Sequence, residues 1–324
     1  MTRWADSLLA ASAVAAIIAG LVLAGPAVTP GGAFAWLTGN GDSQVGTILL
    51  QVRLPRLALA FAVGAALAMA GAALQALLAN PLADPFLLGI SGGGAAAATA
   101  AFALLPAAAL ALVPALAMGG AAMATALVWW MARGPLGPSP TRMILAGVAV
   151  NAAASAVILT LLAIAPSPRL PGALAITMGS FAAASLPAVG WLLPYLLVPA
   201  VLLLHHGRDL GLLAVGEESA AALGVEIAAV RRRVFLAAAA LAGGAVAFAG
   251  VIGFIGLVTP HLCRLVWGHQ PRRLILRVAV AGGALTVLGD LVARRVLAPA
   301  ELPVGVVTAL LGVPFFVALL RRSS

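Results

Sequence analysis

The sequence predicts an all-α, polytopic integral membrane protein with about ten transmembrane helices. Three observations predict it. Of 324 residues, 63% are hydrophobic and only 8% charged, with a mean hydropathy of +1.14, well outside the range of ordinary water-soluble domains. Apolar stretches of about 20 residues, enough for a helix to cross the hydrocarbon core, follow one another from Leu8 to Leu320. These stretches are built from Ala, Leu, Val and Gly with Pro interruptions, and they lack the alternation of a membrane-spanning strand.

In chain order, helices are expected at about 7–28, 54–78, 87–106, 109–131, 142–165, 187–206, 233–252, a short one at 257–267, then 274–296 and 304–320. The first could pass for a cleaved leader, because Arg3 precedes an apolar run that ends in small residues near Ala24–Ala27. That run is long enough to span and many spans follow, so an uncleaved first helix is expected. The segment Thr29–Gln51 is Gly-rich and polar and reads as a surface cap between spans. Residues 1–324 are expected to form one transmembrane domain.

The formal net charge is +9, yet all 18 basic residues are Arg and they cluster at the ends of apolar spans. They report topology rather than a nucleic-acid partner. With the N-terminus inside, Arg3, Arg133, Arg142, Arg208, Arg231, Arg232, Arg233, Arg264, Arg272, Arg273, Arg277, Arg321 and Arg322 fall inside. Arg53, Arg56, Arg169, Arg294 and Arg295 fall outside. The chain has no Lys, so it has no Gly-rich phosphate loop ending in Lys, and any ATP-driven step belongs to another polypeptide. The one cysteine, Cys263, excludes an intrachain disulfide and a cysteine metal cluster.

The inner segment Gly207–Arg233 holds Asp209, Glu217, Glu218 and Glu226, four of the nine acids, and cannot be buried in lipid. It reads as two short helices, EESAAAL and VEIAAVRRR, broken at Gly224. Such a pair is either a docking surface for a soluble partner or an interfacial amphipathic linker. Two interruptions, Ala79–Gly94 and Gly253–Arg264, place prolines and glycines between or within apolar runs, where broken helices are tolerated if they line a cavity or are buried in protein.

Small residues at three- and four-residue spacing, such as Gly64, Ala68 and Ala72, indicate close helix packing. No strand precedes Gly92–Gly94, so the run is not a dinucleotide fingerprint. His205, His206, His261 and His269 lack the spacing of a metal site and are expected to be structural or interfacial. Asp290, the one acid inside an expected span, stands four residues before Arg294 and suits an ion pair with it. Further intramembrane acids are missing, which weakens the alternative of a stand-alone ion-coupled transporter or channel. No catalytic constellation supports an enzyme.

Four stretches in register carry a resemblance: RLPRLALAFAVGAALAMAGAALQALLANPLADPFLLGISGG from Arg53, GEESAAALGV from Gly216, GFIGLVTPHLCR from Gly253, and GDLVARRVLAPAELPVGVVTALLGVPFF from Gly289. They resemble the membrane-subunit family of ATP-binding-cassette importers for ferric siderophores, haem and vitamin B12. The resemblance implies a ten-helix permease, a homodimer or a pair of similar subunits, in the bacterial inner membrane with both termini cytoplasmic. It implies two cytosolic ATP-binding subunits, which hold the ATP and Mg, docked at Glu217, Glu218, Ala222, Leu223, Gly224 and Val225, and no cofactor bound by this chain. It implies a periplasmic substrate-binding protein whose glutamates meet Arg53, Arg56 and Arg294. It also implies a translocation path along the subunit interface, here past Arg142, Leu145, Val148 and Ala149 and then Met178, Gly179 and Ser180. The stretch Ala173–Ser185 departs from the family pattern, with Ile176 and Thr177 where relatives often carry an aromatic.

Overall fold

The computed structural model describes residues 2–25, 28–134, 139–268 and 271–322. Among them the regular structure is all helical: α1 (Thr2–Val22), α2 (Pro30–Leu37), α3 (Ser43–Thr47), α4 (Leu54–Leu77), α5 (Ile90–Leu104), α6 (Val113–Met131), α7 (Pro140–Ile164), α8 (Leu170–Met178), α9 (Leu186–His205), α10 (Gly207–Val215), α11 (Glu217–Ala222), α12 (Ile227–Ala249), α13 (Ile255–Trp267), α14 (Pro271–Arg295) and α15 (Val304–Arg322). A π-helical stretch, Ile48–Arg53, joins α3 to α4.

Among the described residues, seven helical stretches are long and apolar enough to cross a membrane, and α5 and the Val304–Phe315 part of α15 are also apolar. The remaining expected span is α13, whose 13 residues reach about 20 Å, short of a hydrocarbon core of about 30 Å. Of the expected ten, α5 and α13 are shorter than the core is thick, and α15, at 19 residues, matches α6 in length.

The structure departs from the expected helix list at three places. The segment Thr29–Gln51 is largely helical, because Thr29 and Asp42 cap α2 and α3 by accepting from the Gly32 and Gln44 amides, at 3.1 and 2.9 Å. Ser43–Leu77 then runs as one 35-residue helix. The stretch VEIAAVRRR is no separate helix; from Ile227 it forms the first turns of α12. The stretch after α7 folds into α8 before α9 begins, with Pro171 at its start, where the missing amide costs nothing.

Helix α4 is the core of the bundle, with α9, α12, α13 and α14 packed around it. Close approach needs small residues, since lipid offers no hydrophobic drive for helix association. A Cβ on Gly64 would strike the Gly282 carbonyl and the Thr286 hydroxyl of α14, and one on Gly71 would strike the Gly256 carbonyl of α13. Helices α5 and α6 meet in the same way at Gly93 and Gly120.

Candidate functional site

Three breaks in the chain meet at one place. The Ser180 amide donates to the Ala249 carbonyl (2.8 Å), the Val251 amide to the Ile176 carbonyl (2.8 Å) and the Val304 amide to the Gly179 carbonyl (3.0 Å). The link after α8, the link between α12 and α13, and the start of α15 are thereby tied together, and their backbone groups are satisfied where no helix serves them. Gly179 and Gly250 sit at φ +72° and +71°, and a Cβ on either would strike the other strand of this junction. Beside it lies an apolar hollow of about 650 Å³. Its wall takes Leu82, Asp84 and Phe86 from the first interruption, Val251, Gly253 and Phe254 from the link between α12 and α13, Thr177 and Met178 from the end of α8, and Val306, Ala309, Leu310 and Val313 from α15. Asp84 is buried there, its carboxylate accepting from the Phe86 amide at 2.8 Å.

The three arginines expected at the outer end are near one another and buried. Arg53 donates to the carbonyls of Leu21 (2.5 Å), Val22 (3.1 Å) and Gly25 (3.2 Å), closing the end of α1. Arg56 forks onto Asp290 (2.9 and 3.1 Å) and reaches Glu301 (2.9 Å), and Arg294 pairs with the same Asp290 at 3.0 Å. Asp290 is 0% exposed, whereas the Glu301 side chain is 46% exposed. The i,i+4 pair foreseen for Asp290 and Arg294 is present. Arg56, however, supplies the fork that shares this acid. These arginines do not stand free on the surface, because unpaired guanidinium groups at helix ends packed this closely would be left desolvated.

The inner segment is the reverse. Glu217 and Glu218 project from α11, with Glu217 paired to Arg231 of α12. Val215 is 79% exposed and Leu223 60% exposed. Ala222 and Gly224 are exposed and Val225 partly so, and Gly224 turns the chain at φ +81°. Two bare aliphatic side chains flanking an acidic turn make a surface suited to a protein partner.

The FecCD transport family model matches residues 12–322. This chain belongs to that family. It is 39% identical over 326 residues to the vitamin B12 import system permease protein BtuC of Vibrio vulnificus, covering 99% of this chain and 95% of that one. It is 39% identical over 296 residues to the hemin transport system permease protein HmuU of Yersinia pestis, covering 89% and 86%. A solved inward-facing structure of a metal-chelate type ABC transporter superposes with a TM-score of 0.85 at 29% identity, covering 98% of this chain and 99% of that one.

In this FecCD-family chain the residues expected along a path fall into two groups. Met178 lines the hollow, and Gly179 and Ser180 form the junction beside it. Arg142, Leu145, Val148 and Ala149 lie instead on the exposed face of α7, whose other face packs Gly147 and Val150 on the Leu87–Gly89 segment. The departure at Ile176 and Thr177 falls on the site itself: the Ile176 carbonyl holds Val251, and Thr177 faces the hollow. Asp84, Phe254 and the α15 face were missed; the prolines and glycines around them marked broken helices but gave no sign that distant breaks converge. His206 pairs with Asp209 (2.8 Å) and stacks edge-on to His205. His261 stacks edge-on to Phe315, and His269 lies outside the described residues.

Proposed function

We propose that this chain is the transmembrane permease subunit of an ATP-binding-cassette importer whose cargo is a metal chelate, of the class that includes ferric siderophores, haem and corrinoids. The observation that carries this is the convergence of three separated chain breaks on one apolar hollow of about 650 Å³. A hollow of this kind has room for a bulky ligand and few polar groups to hold it, which suits passage rather than storage. The names of the relatives support the cargo class.

The permease forms a homodimer in the inner membrane, and the open side of the hollow, with Met178 and Leu310 exposed, faces the second subunit. Both termini are cytoplasmic. Two cytosolic ATP-binding subunits hold ATP and Mg and dock on Glu217–Val225, with Leu223 and Val215 as apolar contacts, and this chain itself binds no cofactor. Residues 1–324 act as one transmembrane domain, with about 207–233 as its coupling segment. Two internal pairings support the topology. Asp6 on α1 pairs with Arg277 on α14 near both helix starts (2.8 Å), and Arg56 at the start of α4 pairs with Asp290 near the end of α14. Helices α1 and α14 therefore run parallel and α4 runs against them. A periplasmic binding protein docks at the end holding Arg53, Arg56 and Arg294, where the half-exposed Glu301 is the carboxylate that a partner glutamate can replace on Arg56.

The test is reconstitution in liposomes with the ATPase and binding protein encoded beside this chain, offering a ferric siderophore, haem and a corrinoid in turn. One of the three is expected to raise ATP turnover and to accumulate inside. Accumulation with the ATPase left out would overturn the proposal.

A further inference from the structure

A second hollow, of about 550 Å³, lies on the flank of the bundle between α6, α9 and α12 and shares no lining residue with the first. Small residues line its apolar part, among them Ala121, Ala239, Gly243 and Gly244, and Tyr195 of α9 adds an aromatic wall. The Thr125 hydroxyl within it already donates to the Ala121 carbonyl at 2.7 Å, so this polar group makes no demand on an occupant. Arg133 and Arg232 stand at one end, both exposed. Among the described residues neither side chain has a hydrogen-bond or carboxylate partner, in contrast to Arg231 next along the chain. Trp129, stacked on Phe235 at 5.6 Å, sits at the same end, as aromatics do at a membrane interface.

The length of the groove identifies its occupant. From Arg232 to Gly244 along α12 is about 18 Å at the helical rise, and one leaflet of the hydrocarbon core is about 15 Å deep. The groove therefore spans a single leaflet, apolar along its length and cationic at the headgroup level. We infer that it seats an acyl chain of an anionic phospholipid, whose phosphate bridges Arg133 and Arg232. Two unpaired guanidinium groups recognise a phosphate and gain little from a zwitterionic headgroup whose own ammonium offsets it. Under the topology proposed above this is the cytoplasmic leaflet, which carries anionic lipid. Only the choice of leaflet rests on that reading, and the binding itself does not.

The test is native mass spectrometry of the full-length chain in mild detergent, with equal amounts of phosphatidylglycerol and phosphatidylethanolamine of the same acyl composition. Wild-type protein is expected to retain phosphatidylglycerol over phosphatidylethanolamine by roughly thirtyfold, the combined attraction of two arginines near the headgroup plane. The double variant R133Q/R232Q should fall close to parity, and R133K/R232K should recover most of the preference. Ala240→Phe, at an exposed position on the groove wall, should lower occupancy by both lipids while preserving their ratio. An undiminished preference in the double glutamine variant would overturn the inference, as would unchanged occupancy in Ala240→Phe. Cross-linking of Ala240→Cys to a second copy would show that protein, not lipid, covers the groove.

Discussion

At the end where α4 begins and α14 finishes, Asp290 is sealed from solvent and holds Arg56 and Arg294, while Arg53 closes α1. At α11, Glu217 and Glu218 project beside bare Leu223 and Val215, and Glu217, which pairs with Arg231, has a side chain that is half exposed. Both regions read in the sequence as charged interruptions of an apolar chain. Burial separates their roles: charge hidden among packed helices fastens them, and charge left in water beside apolar side chains is available to a partner.

The sharpest way to break this contrast is Asp290→Ala. It strands buried Arg294 and leaves Arg56 only the half-exposed Glu301, and should cost about 3–5 kcal/mol, seen as a large fall in the thermal unfolding midpoint of the purified chain. An unchanged midpoint would mean that water reaches this cluster. Arg53→Ala should cost about 2 kcal/mol, because three carbonyls at the end of α1 lose a charged donor. Glu217→Gln removes a pair at a half-exposed side chain and should shift stability by no more than about 1 kcal/mol. Equal losses for Glu217→Gln and Asp290→Ala would erase the distinction. Smallest of all in stability is Leu223→Asp, which replaces an exposed side chain and should leave the midpoint within about 0.5 kcal/mol of wild type. Its effect belongs to uptake instead.

The spans were legible because lipid demands long apolar runs: an expectation of 54–78 met a helix at Leu54–Leu77, and 142–165 met Pro140–Ile164. Short elements were less so. Helix α8 has only nine residues, and α2 and α3 owe their ends to caps at Thr29 and Asp42 within a stretch rich in glycine. For the site, the prolines and glycines of Ala79–Gly94 and Gly253–Arg264 announced breaks, but the contact of Gly179 with Val304 and of Ile176 with Val251 joins residues far apart in sequence. Pairing was equally hidden. Asp290 and Arg294 were four apart and readable, whereas Arg56 with Asp290 and Asp6 with Arg277 depend on which helices pack together. Exposure at Leu223 could not be read from an apolar residue in a chain that is mostly apolar.

The central claim is that the exposed inner turn, and not the buried outer cluster, transmits the work of a nucleotide-hydrolysing partner. The most direct measurement is chelate accumulated in liposomes containing the full complex, for wild type and Leu223→Asp matched in folded protein by thermal midpoint. The account predicts at least a tenfold loss of uptake in the variant with the midpoint preserved. Wild-type uptake by Leu223→Asp would contradict it.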